Sequence, residues 1–182
     1  MRLGYGKLLV AALLLLSGLV SCANYVITRP LERDIEPPPT ITIGAIDDGL
    51  PVNMPADKKP TLEEIANLKT YIFNEMNSNA VFDFLDDYDS TARYEVSGRI
   101  TEFKRGSGAL RFFIGFGLGN ARLLMTLEIY DREIGQPIFA GSFKAEVSDW
   151  ATNGDRIYRN IARDFAKAFR KQHEKLLKNN EA

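Results

Sequence analysis

The sequence is poor in the side chains that build disulfides, catalytic bases and metal sites. Its 182 residues include one cysteine, one histidine and one tryptophan. A lone cysteine cannot form an internal disulfide, so the stability of the fold has to come from packing. Cys22 and His173 lie far apart in the sequence, and no Cys-His or Ser-His arrangement typical of nucleophilic catalysis is recognisable. The sequence therefore predicts no catalytic residue, no metal site and no cofactor.

The chain also lacks a strong excess of either charge. Its 23 basic and 24 acidic residues give a net charge of −1. A nucleic-acid partner is not expected, because such proteins carry a clustered basic surface. Nor is there an apolar run long enough to predict a spanning helix, which needs about 20 apolar residues.

One shorter apolar run is present at the N-terminus. Arg2 and Lys7 precede the run from Leu8 to Leu16, which continues to Val20 past Ser17 and Gly18. A short positive region followed by such a run is typical of a secretory signal. Residues 1–21 are therefore interpreted as a signal peptide.

The end of this run, Leu19-Val20-Ser21-Cys22, resembles the lipobox of bacterial lipoproteins. In those proteins the chain is cut directly before the cysteine, here between Ser21 and Cys22, and the thiol is alkylated by diacylglycerol. An additional acyl chain such as palmitate completes a stable anchor, since a single chain binds only reversibly. The alternative is an ordinary cleaved signal with a stray cysteine. Ala23 stands where an inner-membrane retention signal has Asp, so an outer-membrane location facing the periplasm is favoured.

Residues 22–39 are predicted to be a tether. They contain Pro30 and the run from Pro37 to Pro39, and they mix both charges without a period. An extended tether of this length would hold the domain up to ~50–60 Å from the membrane. Residues 40–178 are then expected to form a single domain.

Apolar periodicity predicts an α+β fold for this domain. Strands are predicted at residues 40–47, 81–85, 94–101, 122–131 and 139–147 by alternating or short apolar runs. A helix is expected to begin at the capping box of Thr61 and Glu64 and to end near Asn77. A second helix is expected from Asn153 to about Leu177. The prediction is a two-layer sandwich: a mixed, mostly antiparallel sheet of four or five strands with two helices on one face.

The segment between the third and fourth of these strands is rich in glycine and phenylalanine. Gly115, Gly117 and Gly119 suggest a nucleotide loop, but a phosphate-binding loop opens a helix, whereas this one precedes a strand. The candidate interaction residues in this segment share an apolar side chain: Phe112, Phe113, Ile114, Phe116 and Leu118. Two interpretations stay open. They fold back onto the sheet, or they form an exposed patch that meets a partner subunit or the membrane.

Two polar clusters are weaker candidates. The acidic run Asp86 to Asp89 lacks the glycine and glutamate spacing of a calcium loop, so a solvated turn is favoured. His173 lies among basic residues near the end of the second predicted helix, where cations suit the helix dipole. That basic end could alternatively touch anionic lipid heads.

Several short sequences resemble one known family. Gly98-Arg99-Ile100, the stretch from Gly108 through Arg111-Phe112-Phe113 to Ala121, and the later Asp131 and Gly135 are similar to the pattern of bacterial lipoproteins catalogued as domain of unknown function 4410. The resemblance covers about residues 40–172, although the loop after Val147 is shorter and less glycine-rich than in the family. It implies a periplasm-facing lipoprotein whose function is largely unassigned.

The order of elements is also similar to the small domain of the curli-secretion channel lipoprotein and to lipoproteins of exopolysaccharide export, which form rings or bind envelope partners. The hypothesis is a non-enzymatic interaction or assembly module of the cell envelope. It would be held to the membrane by its N-terminal lipid and would bind itself or an envelope protein through Phe112 to Leu118. The alternative is a lipid- or glycan-binding envelope lipoprotein. An enzyme, a third class, would need a cleft with convergent titratable groups.

Overall fold

A computed structural model describes residues 24–36, 39–78, 81–84, 91–106, 120–147 and 155–180. Over these ranges the chain forms one six-stranded sheet, in the order β1-β6-β5-β4-β2-β3, and two long helices. The elements are β1 (Tyr25–Arg29), β2 (Thr40–Asp48), a single 3-10 turn (Ala56–Lys58), α1 (Leu62–Asn77), β3 (Asp83–Phe84), β4 (Tyr94–Lys104), β5 (Ala121–Asp131), β6 (Gln136–Val147) and α2 (Asp155–Asn180).

The α+β class with two helices against one sheet is confirmed, but the predicted strand number was too low. The sheet is also more mixed than predicted, since β2 runs parallel to both β3 and β4 while the other neighbours are antiparallel. The parallel pair follows from the connection. The chain leaves β2, passes through α1 and returns as β3 and then β4, one on each side of β2, and a crossover through a helix joins parallel strands.

One face of the sheet and the two helices enclose the core. The inward residues of β5 are fully buried, as their alternation predicts: Leu123, Met125, Leu127 and Ile129. Four phenylalanines, Phe139, Phe143, Phe165 and Phe169, join β6 to α2, with ring centroids 5.4 to 5.9 Å apart. Edge-to-face and tilted pairs at these distances add to the free energy of burial.

The start of α1 has the predicted capping box. The Thr61 hydroxyl oxygen accepts a hydrogen bond from the Glu64 backbone N–H at 3.2 Å, and the Thr61 N–H donates to the Glu64 carboxylate at 2.6 Å. Two of the N–H groups that a helix leaves unpaired are thereby satisfied. Leu68, Ile72 and Met76 are buried on the sheet side of this helix.

A β-bulge changes the predicted pattern of β2. Ile41 and Ile43 are buried as expected, but Ala45 is exposed and Ile46 is buried in its place. The register with β4 shifts between Ile43 and Ile46. An extra residue in one strand reverses the alternation beyond it, and here it turns the larger apolar side chain inward.

The described part of residues 22–39 is not the extended tether that the prolines suggested. Tyr25–Arg29 is the edge strand β1, which pairs antiparallel with β6. Leu31 follows it and is only 5% exposed. The physical reason is that Tyr25 and Ile27 pack against the core, which favours pairing of this stretch over a solvated chain.

An arginine cluster fixes the rest of this N-terminal stretch to the sheet. The side chain of Arg93 is 8% exposed and forms ion pairs with Glu36 at 2.8 Å, Asp131 at 3.2 Å and Glu133 at 3.1 Å. Glu36 first, and then Asp131, raise the pKa of Arg93 further above its usual value. The Tyr94 hydroxyl oxygen also accepts a hydrogen bond from the Glu36 N–H at 3.0 Å. The cluster therefore joins the residues that follow β1 to the start of β4 and the end of β5.

Arg93→Met is expected to lower the free energy of unfolding by about 3–5 kcal/mol, because it leaves the buried Asp131 carboxylate without its counter-charge. Equilibrium urea denaturation measures the change. Glu133→Gln is the matched control, since the Glu133 side chain is 68% exposed and exposed pairs contribute about 1 kcal/mol or less. Equal losses from the two substitutions would contradict a stabilising role for the cluster.

Candidate functional site

The sheet topology places different strand and helix termini at the two ends of the domain. At one end lie the last residues of β2, β4 and β6 and the first residues of β5 and of both helices. We call this the segment end, because residues 107–119 connect β4 to β5 there. The opposite end carries Arg93 and the tight turn from Asp131 to Gly135, and we call it the turn end. Gly135 has φ 68°, a left-handed conformation that glycine adopts without strain in such a turn.

The sequence-predicted site residues lie outside the described residues. These are the cleavage position Ser21 and lipidation position Cys22, and the interaction residues Phe112, Phe113, Ile114, Phe116 and Leu118. The structure does describe the residues on either side of the interaction segment. Lys104 is opposite Arg122 in the β4–β5 register, so the segment leaves and rejoins the sheet on neighbouring strands.

The N-terminal strand also begins toward the segment end. The Asn24 carbonyl accepts a hydrogen bond from the Lys144 N–H at 2.7 Å, and Tyr25 is opposite Phe143. β6 ends three residues further on, at Val147, a distance of about 10 Å at the rise of an antiparallel strand. Because the pairing is antiparallel, the chain before Asn24 points toward the segment end. Sequence reasoning missed this strand, although the short run Tyr25-Val26-Ile27-Thr28 has the composition of one.

A second arginine holds the segment end together. The guanidinium of Arg105 forms a bidentate pair with the Glu64 carboxylate, with both N–O distances at 2.7 Å. It also donates to the backbone carbonyls of Lys59 at 2.9 Å and Asp57 at 3.2 Å. Bidentate arginine–carboxylate pairs fix orientation as well as distance. The loop before α1, the first turn of α1 and the end of β4 therefore form one rigid unit beside the segment.

Tyr158 of α2 lies within this unit. It is 1% exposed, and burial raises the pKa of its hydroxyl above the usual value, with Glu64 adding to the effect. Glu64 thus caps α1, pairs with Arg105 and lies close to Tyr158. A neutral tyrosine beside an already paired carboxylate completes a structural network.

The face of the sheet away from the helices is polar. On β5 and β6 several outward side chains form ion pairs within the face: Arg122 with Glu146 at 2.7 Å, Lys144 with Glu146 at 2.8 Å, and Arg122 with Glu102 at 3.3 Å. The Lys144 ammonium, helped by Arg122, holds the pKa of Glu146 below its usual range. This face of the β5–β6 hairpin is therefore charged and solvent-facing.

A polar groove of about 410 Å³ lies at the turn end. It runs between the chain after β1 and the start of β6, and it is lined by Thr28, Arg29, Pro30, Glu32, Arg33, Gln136, Pro137 and Ile138. Arg29 donates a hydrogen bond to the Pro137 carbonyl at 2.9 Å, which joins the two walls. No sequence pattern indicated this groove, because its walls come from distant parts of the chain.

The weaker candidates remain without a described site. Asp86 to Asp89 lie outside the described residues, and His173 stacks on Phe169 with ring centroids 6.1 Å apart. Across the ranges given above, no three of the His, Cys, Asp and Glu side chains come together as a metal site. In those same ranges neither helix is long and apolar enough to span a bilayer.

Comparison with solved structures gives the fold a precedent. The PelC dodecamer from Paraburkholderia phytofirmans is similar with a TM-score of 0.52 and 12% identity, over 77% of this chain and 96% of that one. A PelC variant in another crystal form, also a dodecamer from this organism, has a TM-score of 0.53 and 12% identity, over 78% of this chain and 95% of that one. A minor lipoprotein from Acinetobacter baumannii has a TM-score of 0.35 and 15% identity, over 78% of this chain and 94% of that one. Likeness at identities this low concerns the fold alone.

Comparison of the sequence gives the family. No curated protein matches it. Residues 40–179 match the family described as Domain of unknown function (DUF4410). This range takes in α1, α2 and every described strand except β1. It also agrees with the resemblance carried by Gly98-Arg99-Ile100 and the glycine-phenylalanine stretch. The chain belongs to the DUF4410 family.

Proposed function

We propose that the protein is a lipoprotein anchored in the outer membrane through Cys22, facing the periplasm, and that it works as a non-enzymatic assembly module of the cell envelope. One observation carries the proposal. The chain leading to Cys22 and both flanks of the segment with Phe112 to Leu118 leave the domain at the segment end. An anchor and an apolar segment at one end are the arrangement that a module working at a membrane surface requires.

The partner we propose first is a second copy of this chain. The fold is shared with PelC, which crystallises as a dodecamer. Copies anchored in one membrane would present the interaction segment at a common height, and confinement to a surface raises the effective concentration of each copy for the others. Apolar side chains on a glycine-rich segment suit such a contact, because they adapt to a partner without a rigid frame.

The non-enzymatic part of the proposal is supported by how the charges are used. Arg93, Arg105 and Arg132 each form a close pair with a carboxylate inside the domain. A general acid or base needs a titratable group whose pKa is tuned and which faces a cleft. The paired groups have instead the partners of a structural network. Turnover of any substrate by the pure protein would overturn this part.

Cys22→Ser is expected to abolish lipidation and to release the protein from the membrane fraction, because the substitution removes the nucleophilic thiol. Mass spectrometry of the mature chain and fractionation of cells measure the two effects. The control is Ser107→Ala, which leaves the lipobox intact. A Cys22→Ser protein that is still processed and membrane-bound would contradict anchoring through this residue.

The double substitution Phe113→Glu and Phe116→Glu is expected to reduce the assembly to monomers, because burying carboxylates in an apolar contact is costly. Light scattering of the purified protein measures the mass, and circular dichroism checks that the fold is intact. Leu177→Glu is the matched control, an exposed apolar residue on α2 toward the turn end. Unchanged mass in the double variant would count against the segment as the interface.

The groove at the turn end favours a second candidate function, recognition of an envelope glycan. Its lining offers arginine, glutamate, glutamine and threonine side chains, which suit sugar hydroxyls and acidic sugars better than acyl chains. If the segment end faces the membrane, this groove opens toward the periplasm. It would let the module hold a polysaccharide while anchored at its other end.

Arg33→Ala is expected to weaken binding of an acidic oligosaccharide about tenfold or more, as the loss of one charge-assisted hydrogen bond implies. Isothermal titration with neutral and acidic oligosaccharides measures the affinities. Arg99→Ala, a change in β4 away from the groove, is the control. Absence of binding by the unsubstituted protein, or equal binding by both variants, would exclude the groove as a glycan site.

A further inference from the structure

We propose that the segment end lies against the bilayer and that Val52 and Leu62 insert into its interfacial region as a second contact, separate from the lipid. The inference rests on the proposed lipidation of Cys22. It adds an orientation: a fixed end of the domain, made of described residues, faces the membrane.

The first observation is the exposure of these two side chains. Val52 is 98% exposed and Leu62 is 87% exposed, the highest values among the large apolar residues of the described ranges. Val52 lies in the loop after β2, and Leu62 is the first residue of α1. Single exposed apolar residues are ordinary. Two apolar side chains with such high exposed fractions, in one loop-and-helix unit at one end of a domain, require an explanation.

The second observation is that this unit is rigid. The Gly49 N–H donates to the Ile100 carbonyl at 3.0 Å, and the Met54 N–H donates to the Pro51 carbonyl at 2.9 Å. Arg105 holds the carbonyls of Asp57 and Lys59 just before the helix. Neither apolar side chain can therefore reach the core by a small shift of its backbone, and both are held in solvent by the fold.

The third observation is the distance to the anchor. The two peptide units between Cys22 and Asn24 span at most ~7 Å. With β1 in the sheet, a lipid at Cys22 is held close to the domain instead of at the end of a long tether. The lipid enters at the β1 edge, whereas Val52 follows β2, four strands away in the sheet order. At strand spacings of ~4.8 Å the two contacts are about 19 Å apart.

The distance between the lipid and the second contact determines how the second contact affects the orientation of the domain. A domain held by one flexible point can pivot over the membrane. A further contact about 19 Å from that point, on the same end of a rigid sheet, restricts the pivoting. The domain then stands with its strands roughly perpendicular to the membrane surface and its turn end in the periplasm.

The bilayer fits this surface better than a protein does. A stable protein interface buries about 800 Å² on each partner, and two projecting side chains on an otherwise polar unit supply much less. A bilayer interface accepts isolated apolar groups without shape complementarity. The exposed charges nearby, Asp57, Lys58 and Glu63, include both signs. Binding is therefore expected to depend little on anionic lipid or on salt.

The single cysteine of the chain makes a direct test available. In the lipidated protein the thiol of Cys22 is consumed, so a thiol-reactive environment-sensitive fluorophore labels only an introduced cysteine. Val52→Cys, Leu62→Cys and the control Leu177→Cys would be purified with the lipid attached and reconstituted into phosphatidylethanolamine–phosphatidylglycerol vesicles. Mass spectrometry establishes beforehand that Cys22 is acylated. Some vesicles would carry nitroxide-labelled phospholipid as a quencher of shallow depth.

The expected result is a blue-shifted emission at positions 52 and 62 and a loss of about half or more of the intensity with the nitroxide lipid, because interfacial insertion reaches the quencher. Position 177 is expected to remain unquenched. The same result in vesicles without phosphatidylglycerol would support apolar insertion.

The other outcomes overturn the inference in distinguishable ways. If the emission at positions 52 and 62 is neither shifted nor quenched in protein with acylated Cys22, the orientation is overturned and the proposed function still stands. Emission that is shifted but not quenched means that a second copy covers the surface, and it likewise overturns bilayer contact. An unacylated Cys22 overturns the proposed anchoring and this inference together.

Discussion

The pairing of β1 with β6 is the constraint on which the arrangement of the molecule depends. Five residues, Tyr25–Arg29, add an edge to the sheet and bring Asn24 to within hydrogen-bonding distance of Lys144. Buried Leu31 and the Arg93 cluster then hold the following residues on the same surface. The chain that begins at Asn24 thereby has a defined position and direction on the domain. Without this pairing, the position of a lipid at Cys22 would say nothing about which end of the domain faces the membrane.

The two ends of the domain are stabilised in a similar way, by an arginine that connects separate elements. Arg93 joins the N-terminal stretch to β4 and β5, while Arg105 joins β4 to the start of α1. Both guanidinium groups are largely shielded from water. Because the guanidinium group has a fixed planar geometry, an arginine loses less side-chain entropy for each hydrogen bond than a lysine would. In a chain without disulfides these pairs do part of the work of crosslinks. They also explain why charged residues at the ends of the sheet need not indicate catalysis.

Much of this fold could be predicted from the sequence, because its main signals are local. The alternation in β5, with Leu123 and Ile129 buried and Thr126 exposed, is read directly from neighbouring residues, and so is the capping box at Thr61. β1 was harder to predict, since the prolines and charges that follow it suggest a solvated chain. Its partner strand is also distant in the sequence, with 108 residues between Arg29 and its contact Pro137. The bulge in β2 was likewise hidden, although an apolar Ile46 beside Ala45 was a hint. The clusters around Arg93 and Arg105 and the groove at the turn end depend on tertiary contacts that no spacing in the sequence reveals.

The position of β1 ahead of all the other described strands also has a consequence for biogenesis. A strand that is synthesised first must wait for β6 before it can pair, since β6 is made more than a hundred residues later. Long-range pairing of this kind is slow to form. During that interval β1 has no partner in the sheet, so under the proposed anchoring through Cys22 the enzymes that attach the lipid and cut the chain would meet an extended substrate. Maturation would thus precede the final closure of the sheet, and the topology itself would set the order of the two events.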